Sequence, residues 1–199
     1  MKKILLTLIV LIGFALSANA QVPTPFSFYA GGALSMPASP EGFDAGWKTG
    51  WHGMLGAGYK VMPSFQVMGK AEYHTFGLES SDMGGIEGGD YKVLMFGADG
   101  RFNINMPAAP VAPFVFGGVG LANMKLSEFT GPSGTELATA LLNATSPEDQ
   151  NKMYYNVGAG FELKTGPSLK LFAQVRYVGI QTEGDAMAFI PITLGLRFF

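Results

Sequence analysis

Tyr155, Val157, Ala159, Phe161 and Leu163 are apolar, and the residues between them (Asn156, Gly158, Gly160, Glu162 and Lys164) include no large apolar side chain. Successive side chains on a β-strand point to opposite faces, whereas an amphipathic helix repeats every three to four residues. A run of period two this long builds a strand with one greasy face and one that is polar or empty.

The pattern recurs along the chain. Eight strands are predicted, over 26–34, 49–61, 65–77, 91–103, 114–125, 153–164, 169–180 and 188–199. The third sets Phe65, Val67, Gly69, Ala71 and Tyr73 on one face against Gln66, Met68, Lys70, Glu72 and His74. The seventh sets Leu169, Leu171, Ala173, Val175 and Tyr177 against Lys170, Phe172, Gln174 and Arg176. The eighth sets Ile190, Ile192, Leu194, Leu196 and Phe198 against Thr193, Gly195 and Arg197. Strands one and five are rich in Gly and Phe on both faces, which leaves their orientation open. Hydrophobic residues make up 48% of the chain and aromatic residues 13%. A soluble domain hides such residues, whereas a sheet closed on itself in lipid displays them. The expected fold class is all-β: an eight-stranded antiparallel up-and-down transmembrane β-barrel.

The first twenty residues point to export. Lys2 and Lys3 precede an apolar stretch from Ile4 to Leu16, and Ala18-Asn19-Ala20 is a small-x-small cleavage site. The stretch is short for a spanning helix, which needs about 20 residues. The expected organisation is a signal peptide over 1–20, cleaved after Ala20, and one barrel domain over 21–199; the competing reading is an uncleaved anchor. The chain has no cysteine, which removes disulfides, thiolate metal sites and a lipid anchor at the cleavage point. A net charge of −2 gives no global attraction to nucleic acid.

Connections after even-numbered strands are expected to be short (Met62 to Ser64, a Pro-rich stretch near Met106 to Pro113, and Thr165 to Ser168). Those after odd-numbered strands are expected to be longer (35–48, 78–90, 126–152 and 181–187). That alternation fits short periplasmic turns and longer surface loops. Trp51 and Tyr59 stand eight residues apart on one face, as do Phe65 and Tyr73. At ~3.3 Å per residue and ~40° of tilt this spacing spans roughly 20 Å, close to the height of a lipid-facing band. These four, with Tyr155 and Tyr177, are the candidate aromatic girdles.

The tail Leu194-Gly195-Leu196-Arg197-Phe198-Phe199 resembles the terminal strand of outer-membrane barrel proteins. The candidate insertion signal is Leu194, Leu196, Phe198 and Phe199; the alternation runs through Phe198, so which Phe fills the recognition position is open. Pro191 has no N–H to give to the ladder, and a bulge or strand start is expected there. With the alternation and the secretory signal, these features resemble the small eight-stranded outer-membrane barrels that include the OmpA transmembrane domain and OmpX/Ail-like proteins. The resemblance covers nearly all of residues 26–199. It implies a non-enzymatic envelope role, contact with outer-membrane lipid and lipopolysaccharide, handling by the barrel-insertion machinery, a monomeric state and no cofactor.

The alternation points Lys70, Glu72, Asp99, Arg101, Glu162, Lys164, Arg176 and Arg197 inward. An eight-stranded barrel is just wide enough to be filled by its own side chains, and buried ions there must pair. Two readings follow: a salt-bridged plug, or a narrow conduit. Gly56, Gly58, Gly158 and Gly160 leave room for long partners or for a small wet cavity. A tight turn at Met62 to Ser64 pairs positions summing to 126, which sets His52 opposite His74. No third metal ligand is evident beside them, although Glu72 is two residues away, and polar rim histidines are the expected reading. A lipid-modifying enzyme would need a His with a Ser and an acid; His74 with Ser80, Ser81 and Asp82 forms only a loose constellation. No catalytic, cofactor or metal site is expected.

Twelve of the fifteen acidic residues fall in the long connections: Glu41, Asp44, Glu79, Asp82, Glu87, Asp90, Glu128, Glu136, Glu148, Asp149, Glu183 and Asp185. Lys48 and Lys152 lie within them, with Lys92 and Lys125 at their edges. The outer rim is therefore acidic. It repels polyanions, and it either stands solvated or holds divalent cations that bridge to lipopolysaccharide. In the third long connection, Leu137, Ala140, Leu141 and Ala144 form one helical stripe. A second helix start is expected at Ser146-Pro147-Glu148-Asp149, and two such helices would cover the mouth or lie on lipid. Gly117-Gly118-Val119-Gly120 lacks the Lys and Ser/Thr of a phosphate loop.

Overall fold

A chain that crosses hydrocarbon as strands must pair every backbone group with another strand, because no water is available to do so. The computed structural model meets that demand by closing the sheet. It describes residues 25–78, 88–104, 106, 109–146, 149–166, 168–182 and 186–198. Eight antiparallel strands follow in order: β1 (Phe26–Ser39), β2 (Gly50–Met62), β3 (Phe65–Phe76), β4 (Tyr91–Asn103), β5 (Val111–Leu126), β6 (Gln150–Lys164), β7 (Leu169–Ile180) and β8 (Met187–Phe198). Each pairs with its neighbours in sequence, and β1 pairs with β8 from Phe28↔Phe198 to Ser39↔Ala188, so the barrel has no free edge.

The outward faces carry the lipid belt. Leu55, Val157, Phe161 and Leu194 are all 60% exposed or more, which only hydrocarbon makes favourable. On β5 and β6 the belt ends at Leu121 and Met153. The next outward pair, Asn123 and Asn151, is hydrogen bonded at 3.0 Å, and above it Lys125 meets Asp149 at 2.9 Å. The girdle residues sit at the belt's two edges. Trp51 lies 5.9 Å from Tyr73 and Tyr155 lies 6.4 Å from Tyr177 on the loop side, while Phe26 lies 5.1 Å from Tyr59 on the turn side. Phe65, half-buried, pairs with Phe102 near that same turn edge. The orientation left open for β1 and β5 resolves with Tyr29, Ser35, Phe114 and Phe116 inward.

Several expectations are corrected. Loop sorting is less strict than expected, since the β4–β5 connection (104–110) is no shorter than the β7–β8 connection (181–186). Pro191 causes no bulge. It lies inside β8 opposite Ser35 of β1, and the β7–β8 pairing resumes in the same register on either side of it. The β1–β8 irregularity falls instead between Pro37 and Ser39. The helix expected near Glu136 forms as α2 (Glu136–Thr145), but none of its residues is buried and Leu137 is 85% exposed, so it covers nothing among the described residues. Ser146 is its extended C-cap and β6 begins at Gln150; the second helix start expected at Ser146-Pro147-Glu148-Asp149 rests on Pro147 and Glu148, which lie outside the described residues. The mouth is roofed from the first loop, by the short helix α1 (Glu41–Gly46) and its Phe43. The stretch 1–20, Phe199, Glu79, Ser80, Ser81, Asp82, Glu87, Pro147, Glu148, Glu183 and Asp185 lie outside the described residues, as does the Asp44 side chain.

Candidate functional site in the barrel lumen

The inward positions stack as alternating charged and apolar layers. Nearest the short turns, Glu162 accepts from Arg101, from Arg197 (Nη1 at 3.0 and 2.9 Å) and from Lys170 (2.9 Å). The Arg101 guanidinium lies 3.6 Å from the Phe114 ring centroid, and its Nε donates to Asn103 Oδ1 at 2.9 Å. Arg197 also donates to Ser27 Oγ at 3.1 Å, and the Tyr29 hydroxyl donates to Gln66 at 2.6 Å. Cation–π contact and charge-assisted hydrogen bonds to Glu162 compensate these guanidiniums for the loss of bulk water.

An apolar layer of Met54, Met68, Phe116 and Phe172, with Tyr29 and Phe114 at its lower edge, separates this cluster from the next. The inner glycines make the layer possible. A Cβ on Gly158 would stand 2.6 Å from the Phe116 ring, and one on Gly160 2.5 Å from the Phe114 ring, so the room they leave is taken by aromatic partners.

The central layer holds two further acids. Lys70 Nζ lies 2.7 Å from Asp99, and Arg176 Nη2 lies 2.6 Å from Glu72. Asn156 donates to Asp99 at 2.9 Å. All four charged side chains are buried. Above them, His52 and His74 face each other in register, as the turn arithmetic requires, with rings stacked 4.9 Å apart. They are not rim residues, because both are buried. Ser35 Oγ lies 3.1 Å from His52 Nδ1 and 2.8 Å from His74 Nδ1, and His52 Nε2 lies 2.9 Å from Thr193 Oγ1. Two proton orders complete these bonds with both rings neutral. In the one that turns the His74 Nε2–H toward Glu72, Ser35 donates to His74 and accepts from His52, and Thr193 donates to His52.

Ser35, His74 and Glu72 thus form a serine–histidine–acid line that the sequence did not suggest. Glu72 Oε2 stands 3.9 Å from His74 Nε2. Ser35 and His74 are 0% exposed beneath Phe76 and Phe189, and an acyl substrate has no path to the hydroxyl. Among the described residues no group of three or more His, Asp or Glu could hold a metal ion.

The outermost layer is a plug. Phe43, Phe76, Val93, Met95, Met124, Tyr154, Ile180 and Phe189 form one buried cluster, with Trp47 and Tyr91 packed against it. Phe43 anchors it through edge contacts with Phe76 (5.3 Å) and Tyr91 (5.8 Å).

Of the eight charges expected inside, the structure places Lys70, Glu72, Asp99, Arg101, Glu162, Arg176 and Arg197 in two clusters. Lys164 is the exception. It is exposed at the turn-side mouth and donates to the carbonyls of Met106 (2.9 Å) and Ala109 (3.1 Å). Sequence reasoning placed Lys170 inward without adding it to the network, and it missed Asn156 and the Phe43 roof. The parity of β6 marks Asn156 as an inward polar residue; no periodicity marks Phe43.

At the outer rim, Gly134 N–H donates to both Glu136 carboxylate oxygens (3.0 and 2.9 Å), which lowers that acid's pKa. Asn143 on α2 clasps the Phe129 backbone at 2.7 and 3.0 Å.

The comparisons with known proteins agree with this architecture. Neisserial surface protein A (NspA) is 17% identical with a TM-score of 0.61, over 88% of this chain and 97% of that one. Ail, the attachment invasion locus protein of Yersinia pestis, is 20% identical with a TM-score of 0.53, over 88% and 99%. A major outer membrane protein from Thermus thermophilus is 10% identical with a TM-score of 0.55, over 87% and 98%. At these identities the likeness is one of fold. A search of curated proteins returned no match. The family model for the outer membrane protein beta-barrel domain matches residues 6–198, and with a closed eight-stranded barrel belted in exposed apolar residues, this chain belongs to that family of the bacterial outer membrane.

Proposed function

We propose that this protein is a non-enzymatic, closed barrel that serves the structure of the outer membrane and presents an acidic surface to the exterior. One observation carries the reading: two buried ion-pair layers, with an apolar layer between them and an aromatic roof above, lie across the lumen. A conduit needs a continuous wet path, and a lipid-modifying enzyme needs its nucleophile within reach of an acyl chain. The charged layers and the burial of Ser35 weigh against both. The acidic residues of the outer connections offer carboxylates to divalent cations, which can bridge to the phosphates of lipopolysaccharide. Residues 1–20 serve as the export signal, and the Leu194–Leu196–Phe198 face serves the insertion machinery. The closed sheet leaves no edge strand through which a second copy could pair, which supports a monomeric protein.

Planar-bilayer recording of the purified barrel tests this reading. The expected record is silent or shows only rare small events. Steady large channels would overturn the closed-barrel assignment, and a changed acyl count on lipid A in cells making the protein would overturn the non-enzymatic one.

A further inference from the structure

Charge is segregated along the barrel axis. The acidic residues crowd the outer connections, Glu72 and Asp99 are matched in the central layer, and the turn-side end is cationic. There the strand ends bring together Lys60, Arg101, Lys164, Lys170 and Arg197, with Glu162 as the one carboxylate among the described side chains. Both oxygens of Glu162 are already engaged, by Arg101, Arg197 and Lys170. A cavity of about 90 Å³ opens on this mouth, lined by Lys60, Asn103, Glu162, Lys164, Lys170 and Arg197 among others.

We propose that this cavity binds a small phosphate-class oxyanion on the periplasmic side. The donor set fits. Two carbonyls fix the Lys164 ammonium, and its third N–H is left over. Asn103 accepts from Arg101 through Oδ1, so its amide nitrogen remains as a donor. Lys60 brings a second ammonium with no carboxylate among the cavity's side chains except the fully engaged Glu162. A tetrahedral anion offers several charged acceptors to such a ring, and charge-assisted bonds are about twice as strong as neutral ones. A pocket of about 90 Å³ is large enough for one phosphate group. That group is free phosphate or the phosphomonoester head of a lipid in the periplasmic leaflet.

The test uses the folded full barrel in a zwitterionic detergent. Phosphorus NMR line broadening and the unfolding midpoint are measured with inorganic phosphate, with phosphatidate doped into the micelles, and with chloride at matched ionic strength. Lys60→Gln/Lys164→Gln is run in parallel; both side chains are exposed, so folding is retained. Broadening and a raised midpoint with inorganic phosphate, weakened about tenfold or more in the double variant (about 1.4 kcal/mol), support a site for the free ion. The same response to phosphatidate alone supports a lipid headgroup. Equal midpoints in all three anions, or a double variant that responds like the parent, would sink the proposal.

Discussion

Arg176 of β7 and Glu72 of β3 meet inside the barrel with Nη2 and Oε2 2.6 Å apart, from strands that are not neighbours in the sheet. Both side chains are shut off from solvent, so the pair crosses the lumen as a strut. Breaking a buried pair strands its surviving charge, whereas replacing both members with apolar groups of similar volume is often neutral. Glu72→Ala is therefore expected to destabilise the barrel by ~3 kcal/mol or more, and Glu72→Leu/Arg176→Met by far less. Reversible urea unfolding in lipid vesicles measures both. A Glu72→Ala change within error would mean that the carboxylate is wet.

Phe43 reaches the mouth from a loop and closes it against Phe76 and Tyr91. Phe43→Ala is expected to cost ~3 kcal/mol, near the low end for removing a buried Phe. It should also expose the first loop to protease. Bilayer conductance should stay at the parent's level, because the ion-paired layers lie below the plug. Channel activity in this variant would show that the roof alone seals the lumen.

Gly160 faces inward where the Phe114 ring lies. Gly160→Val forces that ring aside and is expected to cost about 1–3 kcal/mol as overpacking. The readout is the temperature at which the fast-migrating folded band disappears from unboiled gels. A variant that melts with the parent would mean that the Phe114 layer yields freely.

The lipid belt can be tested by depth. Val157→Arg, on the outward face near mid-belt, should cost ~2–4 kcal/mol, and Asn123→Arg, above the belt's edge, about 0–1 kcal/mol. Equal costs at the two positions would misplace the membrane boundary drawn between Leu121 and Asn123.

Glu136 has its pKa lowered by the Gly134 N–H. A depressed folded-state pKa means that the carboxylate's contribution to loop order is present above the ordinary Glu value, ~4.3. It is lost as pH falls through the lower folded value. Carbon-detected NMR should give Glu136 a midpoint below that of a model Glu. The Gly134 amide shift should move in the same acidic range.

What was legible in the sequence came from periodicity and local turns. Alternation assigned each strand residue to lipid or lumen, and a tight turn set His52 against His74, because both depend only on neighbours along the chain or across one hairpin. The same logic found α2 but could not say whether its stripe would be covered; Leu137 and Leu141 stand exposed. Parity says which way a side chain points and not how high it sits, so Lys164 was placed in the network although it lies past the end of it. The partnership of Glu72 with Arg176 and the meeting of Arg101 and Arg197 on Glu162 were decided by closure, and the roof of Phe43 by the first loop folding over the mouth. Joining β1 to β8 sets how far each strand is staggered around the cylinder, and that stagger determines which distant side chains share a layer.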